Sequence, residues 1–268
     1  MKLETAKHAF VTGGASGIGL AIARALAGRG IKITIADIDP SSLDDVLSAG
    51  DEGIRGIQLD VRDREAWAAA KREAEAAFGP VDLLFNNAGI SSFGYDIADM
   101  DPAAFDRVVA VNLTGVFNGV HAFAADMRAR GKGHIVNTSS MAGICGPSLA
   151  IGGSYAAAKF GVVGLSETLQ SELAPHGVSV SILCPGQTIT GIAQNSAKQG
   201  GDMRMPETFD ALSAAAGPRV TGSAEDLAAK VLAGVEADDL YIIAHGQGWW
   251  PSAEKRHDAL KEAFAGMR

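Results

Sequence analysis

Seven short apolar runs recur along the chain, and most of them lack the polar–apolar alternation of a strand with one wet face. They are Ala9–Thr12, Lys32–Ala36, Gly56–Asp60, Leu83–Asn86, His134–Thr138, Ser179–Leu183 and Tyr241–Ala244. Runs of Val, Ile and Leu this short and this continuous mark strands covered on both faces. Between them lie Ala-rich segments with helical spacing, among them Gly17–Arg29, Arg64–Phe78, Pro102–Arg130, Tyr155–Ala174 and Ala224–Val235. Strand, helix and strand in repeated succession require parallel strands joined by right-handed crossovers. The expected fold class is therefore α/β, with helices on both faces of a doubly wound parallel sheet.

A chain of 268 residues with no linker and no fixed internal repeat fits one domain spanning 1–268. That length buries a core large enough to need neither metal nor disulfide. Cys145 and Cys184 stand far apart with no metal-like spacing, so no metal is expected, and Cys184, ending an apolar run, reads as a buried reduced thiol. A net charge of -8 and the lack of any Lys/Arg cluster argue against nucleic acid as a partner. Met1–His8 is too short for a hydrophobic leader, and no run of about 18 apolar residues suggests a membrane span. A cytoplasmic location is the expectation.

The region Gln187–Gly222 breaks the alternation, with Gly200, Gly201, Pro206, Gly217 and Pro218 among scattered apolar residues. An irregular segment of that length inside a compact domain is usually functional, and this one follows the sixth strand at the sheet's carboxyl edge. It is expected to act as a substrate lid over about 187–222.

The first strand runs into Thr12-Gly13-Gly14-Ala15-Ser16-Gly17-Ile18-Gly19, and a helix follows at once. Gly13 permits a tight turn, Gly17 lets backbone approach a pyrophosphate, and Gly19 lets helix pack on strand, with Ser16 and Ile18 completing the loop. The helix's unpaired N–H groups and positive dipole end then face the phosphates. The second strand ends at Asp37, whose carboxylate can accept hydrogen bonds from a ribose and repel the extra phosphate of NADP, which favours NAD. The alternative, Asp37 as a helix cap, is better served by Asp39 and Ser41. Asp60-Val61 closes the third strand, where the carboxylate either meets an adenine amino group, with Val61 beside the ring, or caps the helix starting near Arg62.

Tyr155 and Lys159 are four residues apart in a helical segment and share a face. An ammonium near a phenol stabilises phenolate and lowers its pKa from about 10, which suits proton exchange with an alcohol or ketone oxygen. The fifth strand ends in Asn137-Thr138-Ser139-Ser140 and brings hydroxyls to the carboxyl edge, either to hold a substrate oxygen or to satisfy local backbone. Asn112 is a poor helix former inside Pro102–Arg130; it either disturbs the helix and holds a proton-relaying water or is a tolerated polar residue.

TGGASGIG at 12–19, NNAG at 86–89, NTSS at 137–140, YAAAK at 155–159 and PGQTIT at 185–190, in that order, resemble the short-chain dehydrogenase/reductase family over nearly the whole chain. The resemblance implies a single-domain Rossmann fold of seven strands and an NAD-preferring dehydrogenase or reductase of secondary alcohols and ketones. It makes Tyr155 the general acid/base, Lys159 its partner and the holder of the nicotinamide ribose, and Asn112 the keeper of a water. Ser140 orients the substrate oxygen, with Ser139 left open because Met141–Ser154 is longer than usual. Asn87 and Gly89 line the cofactor groove, and Pro185, Gly186, Thr188 and Thr190 meet the nicotinamide carboxamide. Family members are often homotetramers or homodimers joined through two long helices, here Pro102–Arg130 and Tyr155–Ala174. Met203, Met205, Phe209 and Leu212 in the lid, with Phe93 and Tyr95, either suit a bulky apolar or aryl substrate or only pack the lid. NNAGISSFG and the YII at 241–243 are similar to bacterial dehydrogenases that oxidise benzylic alcohols in lignin-derived aryl ethers.

Overall fold

The computed structural model describes residues 3–91, 96–145, 152–186, 188, 196 and 222–267. The lid, save for residues 188, 196 and 222, lies outside them, as do Phe93, Tyr95 and Thr190.

The strands are β1 (His8–Thr12), β2 (Lys32–Asp37), β3 (Ile54–Gln58), β4 (Leu83–Asn86), β5 (Gly133–Thr138), β6 (Val178–Pro185) and β7 (Tyr241–Ala244). They form one parallel sheet in the order β3-β2-β1-β4-β5-β6-β7. The order reverses between β1 and β4, so the crossovers leave that junction in opposite directions and open a crevice at the strands' carboxyl ends. The helices are α1 (Gly17–Ala27), α2 (Pro40–Ser48), α3 (Arg64–Phe78), α4 (Pro102–Val109), α5 (Gly115–Arg130), α6 (Ala142–Cys145), α7 (Gly153–Leu173), α8 (Ala224–Ala237) and α9 (Trp250–Ala265). On one face Ile22 and Leu26 of α1, Val46 of α2 and Leu227 and Val231 of α8 pack on Val11, Ile33 and Leu183. On the other, Trp67 of α3, Phe123 of α5 and Leu169 of α7 cover Phe10, Leu84 and Ile135. Phe10 lies 5.7 Å from Trp67 and 5.3 Å from Phe123 between ring centroids. This double coverage is why the strands are apolar without alternation.

Three elements differ from the sequence reading. β3 spans Ile54–Gln58 rather than Gly56–Asp60: Leu59 still donates to the carbonyl of Asp37 (2.8 Å), after which Asp60 turns its carboxylate onto Arg62. The helical segment Pro102–Arg130 is broken by a π-turn at Ala110–Thr114, centred on Asn112. α9 was hidden because it buries only Ala253, so it carries little of the apolar stripe by which helices are recognised. The sequence reading also expects no membrane-length helix. By length and composition alone Pro102–Arg130 qualifies, with a mean hydropathy of 1.4 over its best window, but half of that window is buried inside the protein, beneath the sheet.

At the amino edge of the sheet, opposite the crevice, Asp82 is the anchor. Its side chain, 5% exposed, accepts from Arg130 (3.1 Å) and Lys132 (3.0 Å), and from the backbone N–H of Lys7 (2.9 Å). Burial opposes its ionisation, but these donors outweigh burial and hold the carboxyl below its usual range. Asp82→Asn should destabilise the fold by about 2 kcal/mol at neutral pH. A depressed carboxylate contributes stability above its unfolded pKa and loses it as pH falls through the folded value. The gap between the two proteins should therefore close on acidification, as urea denaturation from pH 7 to pH 3 will show.

Candidate active site

The turn between β1 and α1 is pinned to the end of β4 by one hydroxyl. Thr12 Oγ1 donates to the carbonyl of Phe85 (3.4 Å) and accepts from the N–H groups of Asn87 (3.0 Å) and Ala88 (3.1 Å). Asn87 Nδ2 returns the bond to the carbonyls of Thr12 (3.1 Å) and Gly13 (3.4 Å). Gly13 has φ +60, and a Cβ there would stand 3.0 Å from Ala88 Cα. At Gly19 a Cβ would come within 2.2 Å of the Gly13 carbonyl oxygen, so only glycine lets the helix sit this close to the turn. Ser16 is the N-cap of α1 in extended conformation, and no side chain caps that helix. Gly13, Ser16, Gly17 and Ile18 line the crevice, whose floor is thus a helix N-terminus suited to an anion.

Asp37 ends β2 beside this turn, accepting from the N–H groups of Ala15 (3.2 Å) and Asp39 (3.2 Å). Burial raises its pKa, against the pull of those donors. The cap of α2 is Asp39, through the N–H of Ser41 (3.1 Å), which leaves Asp37 facing the crevice. Asp60 lines the crevice too, but its carboxylate is engaged by Arg62 Nε at 2.9 and 3.0 Å and by the guanidinium terminus at 2.6 Å. That pairing holds its pKa down. It does not cap α3; Asp63 does, accepting from Glu65 and Ala66. Val61 lies beside it in the same wall.

At the far end Tyr155 and Lys159 project from the first turns of α7. The Ser140 hydroxyl, at the exit of β5, stands close enough to the Tyr155 phenol to pull its pKa down. Ser139 Oγ instead donates to the carbonyl of Lys159 (2.8 Å), so its hydroxyl ties β5 to α7 and Ser140 is the serine facing the phenol. Lys159 Nζ donates to the carbonyl of Thr138 (2.8 Å) and stands 5.5 Å from the Tyr155 ring centre. Burial pushes the Tyr155 phenol up, Ser140 pulling the other way, and burial brings Lys159 down to about 8. The lowered phenol pKa expected from the Tyr/Lys spacing is not what the folded chain alone displays, because burial outweighs the pull of Ser140. Beneath them Cys184 is a buried free thiol, pushed up to about 12 by burial.

Asn112 does not line the crevice. Its Oδ1 accepts from the N–H of Ile90 (2.9 Å) and its Nδ2 donates to the carbonyl of Ile90 (2.7 Å). The side chain expected to hold a water is committed to bracing Gly89 and Ile90, which do line the crevice. The π-turn at Ala110–Thr114 carries this amide. Pro185, Gly186 and Thr188 form the opposite wall. Sequence reasoning missed Thr12, Thr138 and Ile90. For Thr12 the signal was a β-branched hydroxyl at the strand's last position, but the partner that gives it meaning is distant in sequence.

The crevice suits a dinucleotide on three counts: a helix N-terminus that the Ser16 side chain does not cap, a carboxylate at one end, and the buried Oγ1 of Thr188, without a hydrogen-bond partner among the described residues, at the other. Among the described residues no cluster of His, Cys, Asp or Glu is placed to hold a metal. The family model for short chain dehydrogenase matches residues 7–201. A C alpha-dehydrogenase of Sphingobium sp. (strain NBRC 103272 / SYK-6) is 37% identical, with 97% of this chain and 87% of the relative covered. A levodione reductase of Leifsonia aquatica is 37% identical over 73% of this chain and 74% of its own. The crystal structure of a short chain dehydrogenase/reductase from Burkholderia phymatum in complex with NAD superposes with a TM-score of 0.85 at 31% identity, covering 98% of this chain and 97% of that one.

The buried ammonium generates a stability prediction. Between about pH 8 and 10.5 the unfolded chain keeps the Lys159 proton that the folded chain has released, so stability rises with pH across that window. Lys159→Met should therefore melt above the parent at pH 7, with the difference narrowing towards pH 10.5. A melting series over that range checks this; a variant that melts lower throughout would mean that the bond to Thr138 outweighs the buried charge.

Proposed function

The chain belongs to the short-chain dehydrogenase family, an oxidoreductase family, and from that premise we propose that it is NAD-dependent and interconverts a secondary alcohol and its ketone. The observation that carries the reading is the gathering of Ser140, Tyr155 and Lys159 in the crevice that also holds Asp37 and the α1 N-terminus. NAD supplies the hydride acceptor, and NADH the donor, at the carbon whose oxygen meets Tyr155.

In this reading the first turn of α1 and Gly13 hold the pyrophosphate, and Asp37 accepts from the adenosine ribose while disfavouring a phosphate there. Pro185, Gly186 and Thr188 hold the nicotinamide end. Ser140 orients the substrate oxygen, and the Tyr155 phenol gives it a proton in reduction or takes the hydroxyl proton in oxidation. Because burial keeps the phenol protonated at neutral pH, reduction runs from its resting state and oxidation gains as pH rises. Lys159 supports the phenolate once formed, and Asn112 acts through Ile90 as a positioning residue.

For the substrate we favour a bulky benzylic alcohol or aryl ketone. Support comes from the likeness to the C alpha-dehydrogenase and from the motifs shared with benzylic alcohol dehydrogenases. The rival reading, a cofactor-binding protein without turnover, has no observation in its favour, since Ser140, Tyr155 and Lys159 are all present and brought together.

Tyr155→Phe should lower kcat by roughly a thousandfold while NADH affinity stays near that of the parent, measured by steady-state kinetics and fluorescence titration. Retention of most turnover would remove Tyr155 from its role. Asp37→Ser should narrow the preference for NAD over NADP by about tenfold or more, read as a ratio of kcat/KM values. An unchanged ratio would take the ribose role from Asp37. A panel of aromatic and aliphatic secondary alcohols with NAD tests the substrate class directly; aliphatic preference would refute the benzylic reading.

A further inference from the structure

One buried residue next to the nicotinamide end has no part in the roles above. His245 follows β7 with φ +55, a left-handed backbone conformation that is uncommon for any residue but glycine, if less so for Asn, Asp and His. Its side chain is buried and its Nδ1 has no hydrogen-bond partner among the described residues. Neither feature helps the fold locally, so what rests on the residue must account for them.

Two glycines press on it. A Cβ at Gly222 would fall 2.0 Å from Cε1 and Nε2 of the imidazole, and one at Gly186 would fall 2.1 Å from the His245 carbonyl oxygen. Gly186 also donates its N–H to the carbonyl of Ala244 (2.7 Å). Gly222 pairs in turn with Thr188 through an isolated parallel bridge. The imidazole is thus a platform, Gly222 lies on it, and Thr188 is carried on Gly222. Thr188 lines the crevice, and its buried Oγ1 lacks a partner among the described residues. A buried hydroxyl in that condition is unfavourable until a ligand's polar group meets it.

We propose that His245 is a positioning residue: its ring, stacked beneath Gly222, sets the Thr188 hydroxyl at the height where a polar group of the nicotinamide end is received. This rests on the dinucleotide reading given above. The strained φ follows from it. Glycine would relax the backbone, yet only a flat ring of this size fills the space under Gly222 without lifting it.

Five variants test this by NADH titration, melting temperature and the separate KM and kcat for NAD-linked oxidation. Thr188→Val should weaken NADH binding by about tenfold, the worth of one hydrogen bond. His245→Gly, which keeps the backbone conformation and removes the ring, should weaken it by a similar factor and raise the KM for NAD more than it lowers kcat. Combined, they should lose little more than either alone, because both act through one hydroxyl. Gly222→Ala should also weaken binding, and His245→Gly introduced with it should recover part of the loss, since the added methyl occupies the space the ring leaves. Should His245→Gly not fold, His245→Asn, which also tolerates positive φ, takes its place with the same expectation. Wild-type affinity and KM in the His245 variant, or losses that simply add to those of Thr188→Val, overturn the assignment. So does a fall in melting temperature with NADH binding intact. Failure of the parent protein to bind NADH would instead defeat the dinucleotide reading itself.

Discussion

Because all seven strands run the same way, every loop leaving a carboxyl end arrives on one edge of the sheet, and the whole site depends on that. Direction alone would give a row of loops. The reversal of strand order between β1 and β4 parts that row, and the Thr12 hydroxyl keeps the parting narrow by holding the β1 turn to Asn87 and Ala88. The glycines of the turn are consequences of this closeness. With β1 and β4 adjacent, Gly13 has Ala88 against it and Gly19 has Gly13, so side chains have no room.

Burial governs the chemistry in the same crevice. It raises the Tyr155 phenol, lowers Lys159 and raises Asp37, in each case by disfavouring the charged form. Burial thus keeps the phenol neutral and brings the ammonium closer to losing its proton, so the surroundings set both states. The Ser140 hydroxyl and the carbonyl of Thr138 are the local counterweights, one to the phenol and one to the ammonium. Filling the crevice with a polar ligand changes the dielectric around both groups at once, which couples proton transfer to occupancy of the site.

The sheet was legible in the sequence because strands covered on both faces cannot alternate, and the runs at Leu83–Asn86 and His134–Thr138 show this directly. The spacing of Tyr155 and Lys159 likewise revealed their shared face. What stayed hidden depends on contacts distant along the chain. The pairing of Asp60 with Arg62 needed the early end of β3, and the commitment of Ser139 to the Lys159 carbonyl needed β5 set against α7. Asn112 was noticed as an unsuitable helix residue, but only the fold shows its amide spanning both backbone groups of Ile90. α9 escaped notice for the opposite reason: with Trp250 and Phe264 exposed it presents no face that periodicity could find.

Two places where local preference is overridden, the π-turn at Asn112 and the left-handed His245, stand behind residues that line the crevice. Each sits behind a wall rather than in it: Asn112 behind Gly89 and Ile90, His245 behind Gly186 and Gly222. Each wall carries glycine at the contact, so the backbone itself, without a side chain to yield, is what the strained residue bears upon. A tightly packed residue set against backbone fixes the wall's height, because displacement either way raises the energy of the contact. These departures from local preference thus lie one layer outside the residues that line the crevice, where they set its width while Tyr155 and Lys159 keep ordinary helix geometry.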